Sequence, residues 1–371
     1  MAKSELVTPM EHYVVYRDPG YFAAWPHNGG LWQFGDGEIA VGFFRAPCDY
    51  HDRATLPHNV VDARSEQVIL RSKDGGITWP LESLTTVYSR QDLDSRLKTA
   101  PVANGFISGK CYDASADGYC LLSGFGIPDR AHPHLCWTMV SQDKGMTWSL
   151  PVRLPRGHVS TNAFKFLSGR PNYLVRPDGM LLLVAFGARD SAEETLAHPI
   201  IYGSTDGGAN WGIISEVELV GPKIMGIMAF PLALKDGTIL LSVRRQYDSL
   251  TAYTEIYASR DGGISWRYRS RVGEWGAPAT LLELPDDRVV CIYGYRRNPT
   301  GVRARFSRNR GETWGEEVVL RDDGGSFDLG YPRSILRPDG TIVTVYYFNT
   351  LSDPIQQDGG VRHIAATLWR P

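Results

Sequence analysis

The octapeptide SKDGGITW at 72–79 returns at 141–148 (SQDKGMTW), 204–211 (STDGGANW), 259–266 (SRDGGISW) and 307–314 (SRNRGETW). A motif written five times at separations of roughly fifty to seventy residues commits a chain to a repeated structural unit. The motif's own chemistry says what it does. It follows alternating stretches such as EQVILR (66–71) and EIYA (255–258), which read as half-buried strands. The octapeptide is therefore a turn between strands. Its Asp accepts hydrogen bonds from the backbone N–H groups just ahead, its Gly supplies a positive φ, and its Trp returns apolar surface to the core. In the fifth copy Asn309 replaces the Asp and offers one weaker acceptor. Acids that recur in one turn context read as structural, because an active site needs one or two acids and not one per repeat.

A second repeat interleaves with the first. An apolar strand, an Asp-Gly-like turn and another apolar strand occur at 30–43, 111–125, 173–186, 231–244, 280–293 and 334–347. Asp-Gly between alternating runs is a strong hairpin signal. Six hairpins alternating with five octapeptide turns make four-stranded units, which stack radially into an all-β, six-bladed β-propeller occupying 1–371 as a single domain. The last unit ends at HIAATLWRP (363–371) without an octapeptide, and EHYVVYR (11–17) has no partner of its own. The N-terminal strand is thus expected to complete the last blade and close the ring.

Composition narrows the partners. Lys plus Arg number 39 against 41 Asp plus Glu, which leaves no bulk positive field for a phosphate backbone, so nucleic acid is excluded as a partner. No run approaches the ~18 apolar residues of a membrane span, and MAKSELVTPM lacks the apolar centre of a signal peptide; as written, the chain reads as cytoplasmic. Cys48, Cys111, Cys120, Cys136 and Cys291 form an odd set without CxxC spacing, which argues against a disulfide framework and a zinc site. Cys111 and Cys120 flank a turn, but free thiols are expected throughout. HPH (132–134) and YHD (50–52) are too sparse to hold a metal, and no cofactor is expected.

Strand geometry locates a site. With the Asp-Gly turns on one face, residues about ten before each Gly and seven or eight after it reach the opposite face, ~25–30 Å away at ~3.3 Å per residue. These positions are His27 and Arg45, Ser108 and Gly109, Arg170, Arg244 with Arg245, Pro278 and Tyr295, and Tyr331 with Tyr347. Three units deliver arginine to one mouth. Guanidinium groups bind carboxylates in a planar fork, so their clustering points to an anionic substrate.

The octapeptide is the Asp box, and over about residues 11–370 the chain resembles the bacterial neuraminidase repeat, or sialidase-like, superfamily. The resemblance implies a glycoside hydrolase acting on a terminal, acidic sugar. It implies three arginines on the substrate carboxylate, a Tyr nucleophile assisted by Glu, and an Asp acid/base after the first hairpin. Arg244 resembles the second family arginine and Arg303, in NPTGVRARFS, the third; Tyr331 sits where the nucleophile belongs. Asp49 or Asp52, in RAPCDYHDR, falls in the acid/base loop. Arg45, Arg170, Arg333, His51 and Tyr347 would complete substrate binding, and His27 would position hydroxyls or tune the acid. The chain departs from the pattern twice. AAWPHNGGLWQF offers His27 or Trp25 where the first arginine belongs, and IMGIMAFPLAL has only apolar residues near Met228 where the Glu belongs. A Tyr hydroxyl with an ordinary pKa near ~10 needs such a base. Two alternatives use the same parts: a polysaccharide lyase acting on uronate-containing glycans, and a non-catalytic carbohydrate-binding propeller.

Overall fold

The computed structural model describes residues 9–107, 109, 111–126, 135–157, 163–189, 196–248 and 250–371. Six antiparallel sheets follow one another along the chain as the blades of a six-bladed β-propeller. Blades 3, 4 and 5 have four strands each, paired in chain order, within residues 166–216, 225–271 and 279–321. Blade 6 combines Gly330–Leu336, Ile342–Phe348 and His363–Trp369 with Glu11–Tyr16 as its outermost strand. Glu11 lies opposite Leu368 and Tyr16 opposite Ile364, so the expected closure by the N-terminal strand is present.

Blades 1 and 2 depart from the regular pattern for identifiable reasons. Tyr21–Ala24 and Leu31–Gln33 both pair with Ile39–Pro47, because the inner strand is broken by Trp25 at φ 62° and the short helix Pro26–Gly29. Pro26 fixes the helical φ, and Gly29 lets the helix lie against the neighbouring strand: a Cβ there would stand 1.9 Å from the Gly42 carbonyl oxygen. In blade 2 only the second arm of the 111–125 hairpin is a strand, Cys120–Gly126, and the described sheet has three strands. The first arm is used elsewhere. The amides of Cys111 and Tyr112 donate to the Asp206 carbonyl, and Asp113 turns back on the Ser115 amide and hydroxyl.

The octapeptide turns behave as their chemistry demands. In the first, Asp74 Oδ1 accepts from the Thr78 amide at 2.9 Å, the Ser72 hydroxyl accepts from Gly76 at 2.8 Å, and Trp79 Nε1 donates to the Gly76 carbonyl at 3.0 Å. The hydroxyl of Ser265, with its amide and the Ser259 hydroxyl, draws the Asp261 carboxyl down to about 2. Asn309 keeps the turn by accepting from the Thr313 amide at 2.9 Å while its Nδ2 donates to the Thr313 hydroxyl. All five cysteines are free thiols; Cys120, Cys136 and Cys291 are buried, and Cys111 is exposed.

The chain divides into two compact units, residues 1–90 with 252–254 and 272–371, and residues 91–251 with 255–271. The first has a core that includes Val290, Ile292, Tyr346, Phe348 and Trp369, and the second has cores that include Trp211, Tyr202, Leu241 and Tyr257. Full burial of each large apolar side chain contributes about 1.5–3 kcal/mol.

Candidate active site

In the first unit, the start of blade 6 carries a bulge between Gly330 and Arg333, and Tyr331 sits in it at φ 53°. A bulky residue in the left-handed region is strained, and such strain persists only where the surroundings enforce it. Here they are aromatic and cationic. The Tyr331 ring stands edge-on to His27, with centroids 6.3 Å apart, and to Tyr347 at 5.6 Å. The Arg296 guanidinium carbon lies 5.5 Å from the Tyr331 ring centre, and Arg296 hydrogen-bonds the phenol. Arg296 also donates to the Tyr347 hydroxyl at 3.4 Å.

Behind the two phenols lies a buried carboxylate. Asp328 Oδ1 accepts from the Tyr347 hydroxyl at 2.7 Å and lies 3.0 Å from His58 Nε2; its Oδ2 accepts from Arg362 Nε at 3.1 Å. Burial alone would raise the Asp328 pKa, but the hydrogen bond and charge of His58, with Arg362 and Tyr347, outweigh it and hold the carboxyl below the usual carboxylate range. Burial, reinforced by the Asp328 charge, pushes the Tyr347 phenol well above its ordinary value. Arg362 is fixed in turn by the Gly360 carbonyl and the Ser326 hydroxyl. The result is a connected path from His58 through Asp328, Tyr347 and Arg296 to Tyr331.

The sequence-derived residues distribute unevenly around this path. Tyr331, Tyr347 and His27 lie on it or against it. His27 is fully buried on its short helix, with Nδ1 3.3 Å from the Pro332 carbonyl. Arg333 returns the contact, donating through Nε and Nη2 to the His27 carbonyl, so the pair ties the helix to blade 6. Arg45 belongs to a different network, where it meets Glu66, the Tyr16 hydroxyl and the Tyr21 ring. Arg303 does not join the cluster: its Nη groups donate to the carbonyls of Val302, Arg321 and Pro299, with Glu317 beside Nε.

The two candidate acids are occupied locally. Asp49 and Asp52 are exposed; Asp49 Oδ1 accepts from the His51 amide at 2.9 Å, and Asp52 caps the short helix Arg53–Thr55 by accepting from Ala54 at 3.0 Å. His51 is exposed on the same loop. Tyr50 anchors that loop, donating to the Tyr21 carbonyl and accepting from the Arg362 amide at 2.8 Å.

In the second unit, Arg170 is buried between the rings of Phe125 and Phe186, 5.5 and 5.3 Å from its guanidinium, and donates to the Ser168 hydroxyl and Gly169 carbonyl. Arg244 is buried with Nη1 3.5 Å from the sulfur of Met228, and Arg245 pairs with Glu255 at 3.5 Å. Position 108 and the HPH stretch at 132–134 lie outside the described residues.

Sequence reasoning did not find Arg296, Asp328, His58 or Arg362. Arg296 was within reach, since it stands one residue beyond the strand-end position that yielded Tyr295. Asp328 and His58 lie in irregular segments that no periodicity marks.

Six blades joined by Asp-box turns, with a tyrosine bulged from the start of the last, define a sialidase-like propeller. More particularly, the chain belongs to the BNR repeat-like domain family, whose model matches residues 125–344. Among solved structures it is similar to a protein of unknown function from Dyadobacter fermentans, at 26% identity and TM-score 0.74, covering 97% of this chain and 98% of that one. It is also similar to the Hadza microbial sialidase Hz136, at 16% identity and TM-score 0.63, covering 96% of this chain and 68% of the sialidase. Trypanosoma rangeli sialidase in complex with the inhibitor DANA follows at 12% identity and TM-score 0.61, with 98% of this chain and 60% of that one covered. At the identities of these two sialidases the likeness is one of fold. No curated protein matches the chain.

Proposed function

We propose that the chain is a sialidase-like glycoside hydrolase that takes a terminal, acidic sugar at the Tyr331 site. The observation that carries this reading is Tyr331 itself, held at φ 53° with its phenol on Arg296. In this reading the Tyr331 oxygen attacks the anomeric carbon, and the adjacent guanidinium stabilises the negative charge that the phenol develops, a role a carboxylate base would otherwise serve. Arg296 also supplies a fixed cation for the sugar's carboxylate. The family and the fold support the reading. So does Trypanosoma rangeli sialidase, a protein of this fold captured with 2,3-difluorosialic acid as a covalent intermediate. Asp49 and Asp52, turned to their own loop amides, shape the loop in this reading and do not transfer protons.

The test is a panel of 4-methylumbelliferyl glycosides comprising a sialoside, uronides and neutral sugars. The expected result is fluorescence from an acidic sugar with the wild-type protein and none above background with Tyr331→Phe. Release from neutral sugars alone, or from none, overturns the reading.

One observation favours a second reading. An imidazole and two phenols stand near a guanidinium, the set a polysaccharide lyase needs to neutralise a uronate and move a proton. Ultraviolet absorbance growing from a uronate polymer, with no aryl glycoside cleaved, selects the lyase. Binding without either product selects the non-catalytic propeller.

A further inference from the structure

Breaking a glycosidic bond requires a group that gives a proton to the departing oxygen and later takes one from the incoming water. His58 has the geometry for it. It begins the helix His58–Ala63, its side chain is half exposed, and its Nε2 lies 3.0 Å from Asp328 Oδ1. Its ring is wedged edge-on against Trp25 at 5.3 Å and Phe22 at 5.9 Å. Nδ1 has no hydrogen-bond partner among the described residues.

The carboxylate behind it cannot rotate. Tyr347 and Arg362 hold its two oxygens, and Asn349 Nδ2 donates to the Asp328 backbone carbonyl at 2.7 Å. An imidazole with one nitrogen fixed by a buried carboxylate and the other left without a protein partner is the arrangement that orients a proton carrier. The groups facing the imidazole are the Asp328 carboxylate, Tyr347 and Arg362 behind it, and the rings of Trp25 and Phe22; on its own helix Asp62 is paired with Arg90 at 2.5 Å.

We propose that His58 is the acid/base of this site and that Asp328 is its positioning residue. The proposal rests on the glycoside hydrolase reading above. In the first half-reaction the His58 proton passes to the glycosidic oxygen as its bond to the anomeric carbon breaks. The Tyr331 oxygen bonds that carbon and its own proton goes to solvent. In the second half, water bonds the anomeric carbon as the bond to Tyr331 breaks, His58 takes one proton from that water, and the phenolate recovers a proton from solvent. The sum is the addition of one water across the glycosidic bond.

A purely structural role for His58 would tie its helix to blade 6, and the experiment separates the two. With whichever 4-methylumbelliferyl sialoside or uronide the wild type cleaves, His58→Ala is expected to lower kcat by about 10²–10⁴-fold with KM within about threefold. Added imidazole is expected to restore turnover in that variant and to leave wild type unchanged. His58 is half exposed, so its melting temperature should stay near wild type; Asp328→Asn should lower kcat without being rescued. Turnover of His58→Ala within about threefold of wild type, or a loss that imidazole fails to restore, overturns the assignment while leaving the hydrolase reading in place. A wild type inactive on every probe overturns that reading, and this one with it.

Discussion

Blades 4 and 6 use one backbone device for different contents. Met228 and Tyr331 each stand nine residues before a hairpin glycine, Gly237 and Gly340. Each sits in a bulge, at φ 50° and 53°, and each faces an arginine, Arg244 or Arg296. In blade 4 the device presents a thioether to a guanidinium; in blade 6 it presents a phenol. The repeat thus supplies a strained, re-aimed position at the start of an inner strand, and the side chain placed there decides whether it can do chemistry. A second contrast runs behind the first. Blade 6 is backed by the ionised Asp328, whereas blade 4 holds Arg245 against Glu255, whose pKa burial raises.

The largest effect should come from that second contrast. Asp328→Asn removes the counter-charge of a buried Arg362 and should cost about 3–5 kcal/mol in urea unfolding at pH 7. Because the Asp328 pKa is depressed in the fold, its contribution is present above the unfolded value of ~3.9 and is lost as pH falls through the folded value. Glu255 has the opposite sign: a raised pKa gives a contribution present below ~4.3 and lost as pH rises through the folded value. As pH falls from 7 the deficit of Asp328→Asn should therefore hold down to about 4 and shrink below it, while that of Glu255→Gln should shrink as pH rises above about 4. Parallel pH profiles for the two variants would erase the distinction between the blades.

Next in size is the phenol. Tyr331→Phe keeps the ring and the bulge and should lower turnover of an acidic aryl glycoside by about 10³-fold, ~4 kcal/mol of barrier, whereas Met228→Leu should change it by less than about threefold. Equal losses in the two variants would mean that the device and not the phenol matters.

The turns at the other ends of the blades calibrate the scale. Asp261→Ala abandons the amide and hydroxyl donors of its turn and should cost about 1–2 kcal/mol by thermal melting. Asn309→Asp restores a second acceptor oxygen and should gain about 0.5 kcal/mol, the smallest of these effects.

Much of this molecule was legible before any coordinates. Octapeptide turns and Asp-Gly hairpins are local chemistry, so the blades, their order and the pairing of Glu11–Tyr16 with the last blade could be read from spacing. Tyr331 and Tyr347 followed from strand arithmetic. The arithmetic also delivered Arg45, which sits in a separate network with Glu66 and Tyr16, and the family resemblance pointed to Arg303, whose guanidinium serves backbone carbonyls. It was silent on Asp328 and His58, because their partnership joins positions 270 apart through loops whose path no periodicity encodes.

The pairing that closes blade 6 also has a mechanical side. Glu11 faces Leu368 and Tyr16 faces Ile364, so tension applied through the two chain ends reaches the outer bonds of the ladder first. Such a seam opens like a zipper, one rung after another, and does not resist as a strand dragged lengthwise would. A fold that is thermodynamically shut by its own first strand is therefore weakest, under force, at that same strand.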